Sequence, residues 1–145
     1  MTLWEDMTAL EQAAILYSDA HKDAYGFRPR DGGIHCPVTL ADYDAAMIEL
    51  GDIIARNEAE EAAREAAALD AFNTEVGGLM AQHRIDRETA LRWWFEAEGY
   101  VKPLEDCPAW RRQNAEHVLW KRGLPQSAWA EVLDIFAPRP AAWAA

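Results

Sequence analysis

Apolar residues recur every three or four positions along most of this chain, which is the pattern of amphipathic α-helices. In the first segment, Thr8 and Glu11 have the spacing of a capping box, and the apolar pattern stops at Gly26. We therefore predict a first helix over residues 8–25. The next stretch, 26–38, contains two prolines and a pair of glycines, which exclude a helix interior, so we predict a loop there.

The second predicted helix is long. Thr39 can cap its start, and the helical pattern continues without proline over residues 39–76. Four large apolar residues near its start have the spacing of a coiled-coil seam: Tyr43, Met47, Leu50 and Ile54. Alanine replaces them over residues 55–68, and Gly77-Gly78 is expected to end or kink the helix. A helix of this length typically projects from a small bundle or pairs with a second copy, so a homodimer is one expectation.

Shorter helical patterns fill residues 79–136. Asp86 is expected to cap a helix that ends before Gly99, and Pro108 is expected to start another that ends before Gly123. A last apolar helical face follows. The predicted fold class is therefore all-α, a helical bundle with one long acidic helix.

Composition agrees with one ordinary domain, which we place at residues 1–137, followed by a frayed tail at 138–145. Half of the 145 residues are apolar and seven are tryptophan, enough to build one core. Five tryptophans are expected in that core: Trp93, Trp94, Trp110, Trp120 and Trp129. No stretch approaches the roughly 18 consecutive apolar residues of a membrane helix, and no secretory signal pattern is present, so we expect a cytoplasmic protein.

Negative charge is concentrated in the long helix. The chain has a net charge of −11, and residues 38–80 contain ten acidic side chains against only Arg56 and Arg64. This balance argues against unaided binding to nucleic acid or to an anionic membrane, because contacts with phosphate need Lys and Arg. A basic protein or nucleoprotein complex is the better matched partner.

The candidate binding residues are the carboxylates of this helix. Ordered carboxylates can take the place of phosphates on a basic groove and steer association at low salt. We therefore predict a binding protein whose acidic helical face occupies the nucleic-acid-binding surface of a partner. The residues assigned to this face are Asp42, Asp44, Glu49, Asp52, Glu58, Glu60, Glu61 and Glu65.

The N-terminal third carries the runs Tyr17-Ser18-Asp19, Lys22-Asp23 and Gly26-Phe27-Arg28-Pro29-Arg30. These runs resemble those of a group of small phage and prophage proteins. The resemblance is confined to this segment; it implies a phage origin and attaches no activity. Together with the acidic helix, a phage origin implies an inhibitor of a host defence complex of the restriction or CRISPR type, acting in the host cytoplasm.

The same segment contains a charge cluster. Asp19 and Asp23 are one helical turn apart, and the loop that follows can bring Arg28 or Arg30 back to them. Such ion pairs would fix the loop against the helix. The alternative interpretation is a polar site for a partner or an anion.

A second functional hypothesis rests on residues 79–95, which are similar to a helix-turn-helix. In that hypothesis the protein dimerises through its long helix and binds DNA through Arg84, Arg87 and Arg92. A third is a phage structural or assembly protein whose acidic helix forms a soluble coiled coil. The first hypothesis predicts binding to a protein, the second direct binding to duplex DNA, and the third self-association alone.

No motif indicates catalysis. The two cysteines lie far apart at Cys36 and Cys107, and neither C-x-x-C nor H-E-x-x-H spacing is present, so we predict no metal site. G-x-S-x-G and the P-loop pattern are also missing from the sequence. We therefore expect a non-enzymatic protein without a cofactor.

Overall fold

The computed structural model describes residues 4–30, 36–100 and 108–136, and over these ranges the fold is all-α, as predicted. Two short 3-10 turns accompany five helices, which we number in chain order: α1 (Ala9–Tyr25), α2 (Leu40–His83), α3 (Arg87–Ala97), α4 (Pro108–Lys121) and α5 (Trp129–Phe136). The chain divides into two compact units, residues 1–61 and 62–145, and α2 contributes to both. The predicted tail at 138–145 lies outside the described ranges.

Helix α1 has the bounds that its capping signals predict. The Thr8 backbone N–H donates to the Glu11 carboxylate at 2.8 Å, and the Thr8 hydroxyl accepts from the Glu11 backbone N–H at 3.3 Å. At the other end, Gly26 has a positive φ of 82° and donates its N–H to the Lys22 carbonyl at 2.7 Å. Because both signals are local, the sequence is sufficient to define this helix.

Helix α2 extends beyond its predicted end. It runs to His83 instead of residue 76, so Gly77 and Gly78 lie inside a continuous helix. Each glycine costs about 1 kcal/mol relative to alanine. Burial of Val76 on one side of the glycines and packing of Leu79 and Met80 on the other offset that cost.

The end of α2 is a Schellman motif. Arg84 adopts the left-handed conformation with φ 55°, and the Ile85 N–H donates to the Met80 carbonyl. Asp86 then caps α3 by accepting a hydrogen bond from the Thr89 N–H at 2.8 Å, as predicted. Arg84 thus occupies a position at which glycine is the usual residue.

The main hydrophobic core lies in the second unit. It joins the C-terminal part of α2 to α3, α4 and α5, and α4 packs directly against α5. Its fully buried members include Val76, Leu91, Phe95 and Leu119. In the described part of the first unit, only Ala24 and Leu50 are buried hydrophobic residues.

The expectation that five tryptophans build this core is wrong for three of them. Trp94 is buried, and Trp129 is partly buried with its indole N–H donating to the Leu124 carbonyl at 2.8 Å. Trp93, Trp110 and Trp120 are exposed. In α4 the core positions are filled by smaller residues such as Leu119, and Trp120 follows on the outer side of the helix, where its ring stacks on that of His117 at 5.8 Å.

None of the helices within the described ranges combines the length and the apolarity that a membrane crossing requires.

Candidate functional site

Most of the net negative charge of the chain belongs to one unit. Residues 1–61 contain 13 acidic and four basic side chains, so they account for nine of the eleven net negative charges. Residues 62–145 are nearly balanced, with 12 acidic and ten basic side chains. A positively charged partner is therefore attracted mainly to the first unit.

The predicted acidic residues are on the surface of α2. Glu65 is half-buried, and the other seven are exposed: Asp42, Asp44, Glu49, Asp52, Glu58, Glu60 and Glu61. Carboxylates in such positions remain hydrated and can be reached by a partner.

These carboxylates lie on more than one side of the helix. Asp44 and Asp52 are one turn before and one turn after Ile48, whose side chain is 71% exposed, on the outward side of α2. Glu58 instead follows Ile54 after one turn, on the side that contains the buried Leu50. The acidic surface of residues 42–61 therefore surrounds the helix.

Some of these carboxylates already have partners. Asp42 accepts hydrogen bonds from the Thr39 hydroxyl at 2.7 Å and the Thr39 N–H at 2.9 Å, and these bonds lower the pKa of Asp42. Glu61 also interacts within the chain. The other six form no hydrogen bond or ion pair with any residue that the structure describes: Asp44, Glu49, Asp52, Glu58, Glu60 and Glu65.

One of the predicted ion pairs in the N-terminal cluster is present. Arg28 Nη1 lies 2.6 Å from Asp19 Oδ1 and donates to the Ser18 hydroxyl at 3.1 Å. The described residues show no ion pair for Arg30 with Asp23. The pair between Arg28 and Asp19 holds the start of the loop against α1, which is the structural role predicted for this cluster.

The three arginines of the helix-turn-helix hypothesis have different surroundings. Arg84 is exposed at the end of α2. Arg87 Nε lies 2.5 Å from Glu131, and this carboxylate raises the pKa of Arg87. Arg92 Nη2 lies 2.7 Å from Glu88. Two of the three guanidinium groups would therefore have to leave a carboxylate before binding phosphate.

A pocket in the first unit was not predicted. It has a volume of about 340 Å³ and is lined from α1 and the start of the loop by aromatic rings, and from α2 by Ala46, Glu49 and Leu50. The rings belong to Tyr17, His21, Tyr25 and Phe27. Tyr17, His21 and Tyr25 follow each other at intervals of four, a signal that is visible in the sequence.

The aromatic rings of this pocket are in mutual contact. The His21 ring centre lies 5.8 Å from Tyr17, 4.8 Å from Tyr25 and 5.1 Å from Phe27. His21 Nδ1 is 2.8 Å from the Phe27 carbonyl oxygen. Because a carbonyl only accepts, Nδ1 carries the hydrogen and donates it, which fixes the orientation of the imidazole.

The polar groups of the pocket include one carboxylate and the hydroxyls of two tyrosines. Among the described residues, Glu49 is the only acidic one that lines it. Burial raises the pKa of Tyr17, and electrostatic interactions with other acidic groups nearby, including Cys36 and Glu49, raise it further. The pocket therefore presents aromatic rings beside one acidic side chain.

A second network that was not predicted stabilises the other unit. Glu75 accepts a hydrogen bond from the indole N–H of the buried Trp94 at 2.6 Å and binds Arg122 at 2.6 Å. The Arg122 guanidinium also lies over the Trp94 ring, 5.4 Å from its centre. The hydrogen bond from Trp94 is the main reason that the pKa of Glu75 is lowered.

The described residues contain no group of three or more His, Cys, Asp or Glu side chains placed to hold a metal ion. Cys36 is a free thiol, and Cys107 lies outside the described ranges. No family model matches the chain, and neither a curated protein nor a solved structure is detectably similar to it. The resemblance to phage proteins and its functional implications stay predictions.

Proposed function

We propose that this protein is a non-enzymatic binding protein, and that the carboxylates of α2 in residues 42–61 occupy the basic, nucleic-acid-binding surface of a protein partner. One observation carries the proposal: nine of the eleven net negative charges belong to residues 1–61, and α2 presents exposed carboxylates there without intramolecular partners. The expected partner is a host defence complex, as the phage resemblance implies.

The physical basis is competition between carboxylates and phosphates. A groove that binds nucleic acid contains Lys and Arg whose counterions are released on binding, and a dense set of fixed carboxylates can satisfy the same cations. Asp44, Asp52 and Glu60 are suited to this role because no ion pair within the described chain has to be broken first. A long helix also presents its charges at fixed spacing, so little conformational entropy is lost on binding.

The experiment compares two variants that remove the same amount of charge. The test variant carries Asp44→Asn, Asp52→Asn and Glu60→Gln in the first unit. The control carries Asp70→Asn, Glu96→Gln and Asp134→Asn in the second, all exposed and without a partner among the described residues. The partner is captured from bacterial lysate at low salt and purified, and its complex with labelled duplex DNA or RNA is titrated with each protein.

Wild type and control are expected to displace the nucleic acid, and displacement should weaken as salt is raised from about 50 to about 300 mM. The test variant should need roughly tenfold more protein for the same displacement. Equal displacement by both variants would show that the carboxylates of residues 42–61 are not the binding surface.

The alternative of a DNA-binding regulator gives a different result in the same assay. It predicts that the protein itself shifts labelled duplex DNA, and that replacing Arg87 and Arg92 abolishes the shift. Their present pairing with Glu131 and Glu88 favours the protein-binding proposal. Self-association without nucleic-acid displacement or DNA binding is the result expected of a structural or assembly protein.

A further inference from the structure

We propose that the aromatic pocket of the first unit binds a guanidinium group, supplied by an arginine side chain of a basic protein partner. This inference rests on the proposed function for the nature of the partner and adds the side chain that the partner inserts. It can be tested on the pocket alone, without any nucleic acid.

The aromatic wall provides the first part of the argument. Tyr17, His21, Tyr25 and Phe27 line a pocket of about 340 Å³. Tyr25 and Phe27 are each about half exposed or more, so their rings are open to a ligand. The faces of aromatic rings attract cations, and among protein side chains arginine is the one most often found against them.

Glu49 provides the second part. It belongs to α2, lines the pocket and forms no hydrogen bond or ion pair with the described residues. A guanidinium group can place its flat face on the rings and direct two N–H donors at this carboxylate. An ammonium group of lysine is more strongly hydrated and lacks the planar fork, so it fits this combination less well.

Charge excludes the opposite class of ligand. Residues 1–61 have nine net negative charges, and Glu49 is the only acidic residue among the described residues that line the pocket. An anionic ligand would be repelled by both. The pocket therefore selects for positive charge as well as for a flat, polarisable shape.

The test is an NMR titration of the full chain with three capped amino acids at constant ionic strength. Nα-acetyl-arginine amide is the probe, the citrulline analogue is its neutral counterpart of the same shape, and the lysine analogue tests the planar fork. The arginine probe should shift the aromatic resonances of Tyr17, His21, Tyr25 and Phe27. The citrulline analogue should bind at least about tenfold more weakly, and the lysine analogue should also bind more weakly.

Two variants, each with one negative charge removed from α2, distinguish a contact in the pocket from general attraction by the negative charge of the chain. Glu49→Gln should weaken binding of the arginine probe by roughly tenfold, whereas Asp70→Asn, on the same helix and outside the pocket, should change it less than about twofold. A third variant, Phe27→Leu, removes an exposed ring and should also weaken binding. Far-UV circular dichroism checks that each variant keeps its helicity.

Equal binding of the arginine and citrulline probes would overturn the proposal, and so would equal effects of Glu49→Gln and Asp70→Asn. Equal binding of lysine would show a general cation site and overturn the guanidinium assignment. If the arginine probe binds as expected while the displacement of nucleic acid fails, the proposed function is wrong and the pocket remains an arginine site.

Discussion

Replacing Glu75 by glutamine tests the hydrogen-bond network that joins α2 to α3 and to the end of α4. The change keeps the size of the side chain and one carbonyl acceptor for the Trp94 indole N–H, which now lies 2.6 Å from Glu75 Oε2. It removes the charge that binds Arg122 at 2.6 Å. The folded chain is therefore expected to lose the charge contribution to its bonds with Trp94 and Arg122, while the packing around residue 75 changes little.

The magnitude follows from the surroundings of each bond. A hydrogen bond to a charged group contributes about 1.5–3 kcal/mol and a neutral one about 0.5–1.5, so the bond from Trp94 should weaken by about 1 kcal/mol. The ion pair adds little, because the side chains of Arg122 and Glu75 are 32% and 44% exposed and solvent screens them. We expect a loss of about 1–1.5 kcal/mol, which lowers the urea midpoint by roughly 0.5–1 M.

The effect should depend on pH in a defined direction. The folded-state pKa of Glu75 is lowered, first by the bond from Trp94, so its ionised form contributes stability above its unfolded pKa of about 4.3. That contribution is lost as the pH falls through the folded pKa. The difference between wild type and Glu75→Gln should therefore be full at pH 7 and shrink below about pH 4.

The assay is urea unfolding followed by far-UV circular dichroism. Glu88→Gln serves as the control, because in the part of the chain that the structure describes Glu88 pairs only with Arg92, on the exposed surface of α3, and should contribute about 0.5 kcal/mol or less. Equal losses for the two variants at pH 7, or a Glu75 effect that is independent of pH, would refute the reasoning.

Four further predictions test local features. The pair Arg87 and Glu131 should show a coupling of up to about 1 kcal/mol in a double-mutant cycle with Arg87→Met and Glu131→Gln, measured by urea unfolding. Arg84→Gly should stabilise the chain by up to about 1 kcal/mol, because Arg84 has a positive φ; a loss of stability would contradict this. Gly123→Ala, at a φ of 68°, should destabilise it by about 1 kcal/mol in the same assay, and an unchanged midpoint would be the contrary result. Thr8→Ala should remove about 1 kcal/mol of capping from α1, seen as faster amide exchange in its first turn; unchanged exchange there would argue against the cap.

Features set by neighbouring residues could be predicted from the sequence. Thr8 and Glu11 form the expected capping box, and Asp86 caps α3 as expected. Arg28 reaches Asp19 because a short loop returns the chain to the helix it has just left. In each case the deciding contact is formed within about ten residues, so no knowledge of the tertiary fold is needed.

Features that depend on tertiary packing could not be predicted from the sequence. Intrinsic propensity predicts a break at Gly77-Gly78, but the helix continues because Val76 and the residues that follow are held in the core. Trp120 was expected in the core because its side chain is large and apolar, but it lies on the exposed side of α4. Glu75 and Trp94 are 19 residues apart, and their hydrogen bond depends on how α3 packs against α2.

The candidate site was predicted only in part. The acidic residues selected by charge counting are mostly exposed on α2, because hydration of carboxylates needs no tertiary information; their role in binding stays a prediction. The aromatic pocket was missed, although the spacing of Tyr17, His21 and Tyr25 is visible. The spacing alone does not show a pocket, because the pocket also needs Glu49, which belongs to a different helix.

The unequal burial along α2 has a consequence for motion. Residues 40–61 belong to a unit whose described part buries only Ala24 and Leu50, whereas residues 62–83 belong to the unit that contains the core. Amide protons in one uninterrupted helix should therefore exchange with solvent by two different openings, a local one in its N-terminal half and a larger, rarer one in its C-terminal half. A ligand that binds only the closed form of the first half would slow exchange there and leave the second half unchanged.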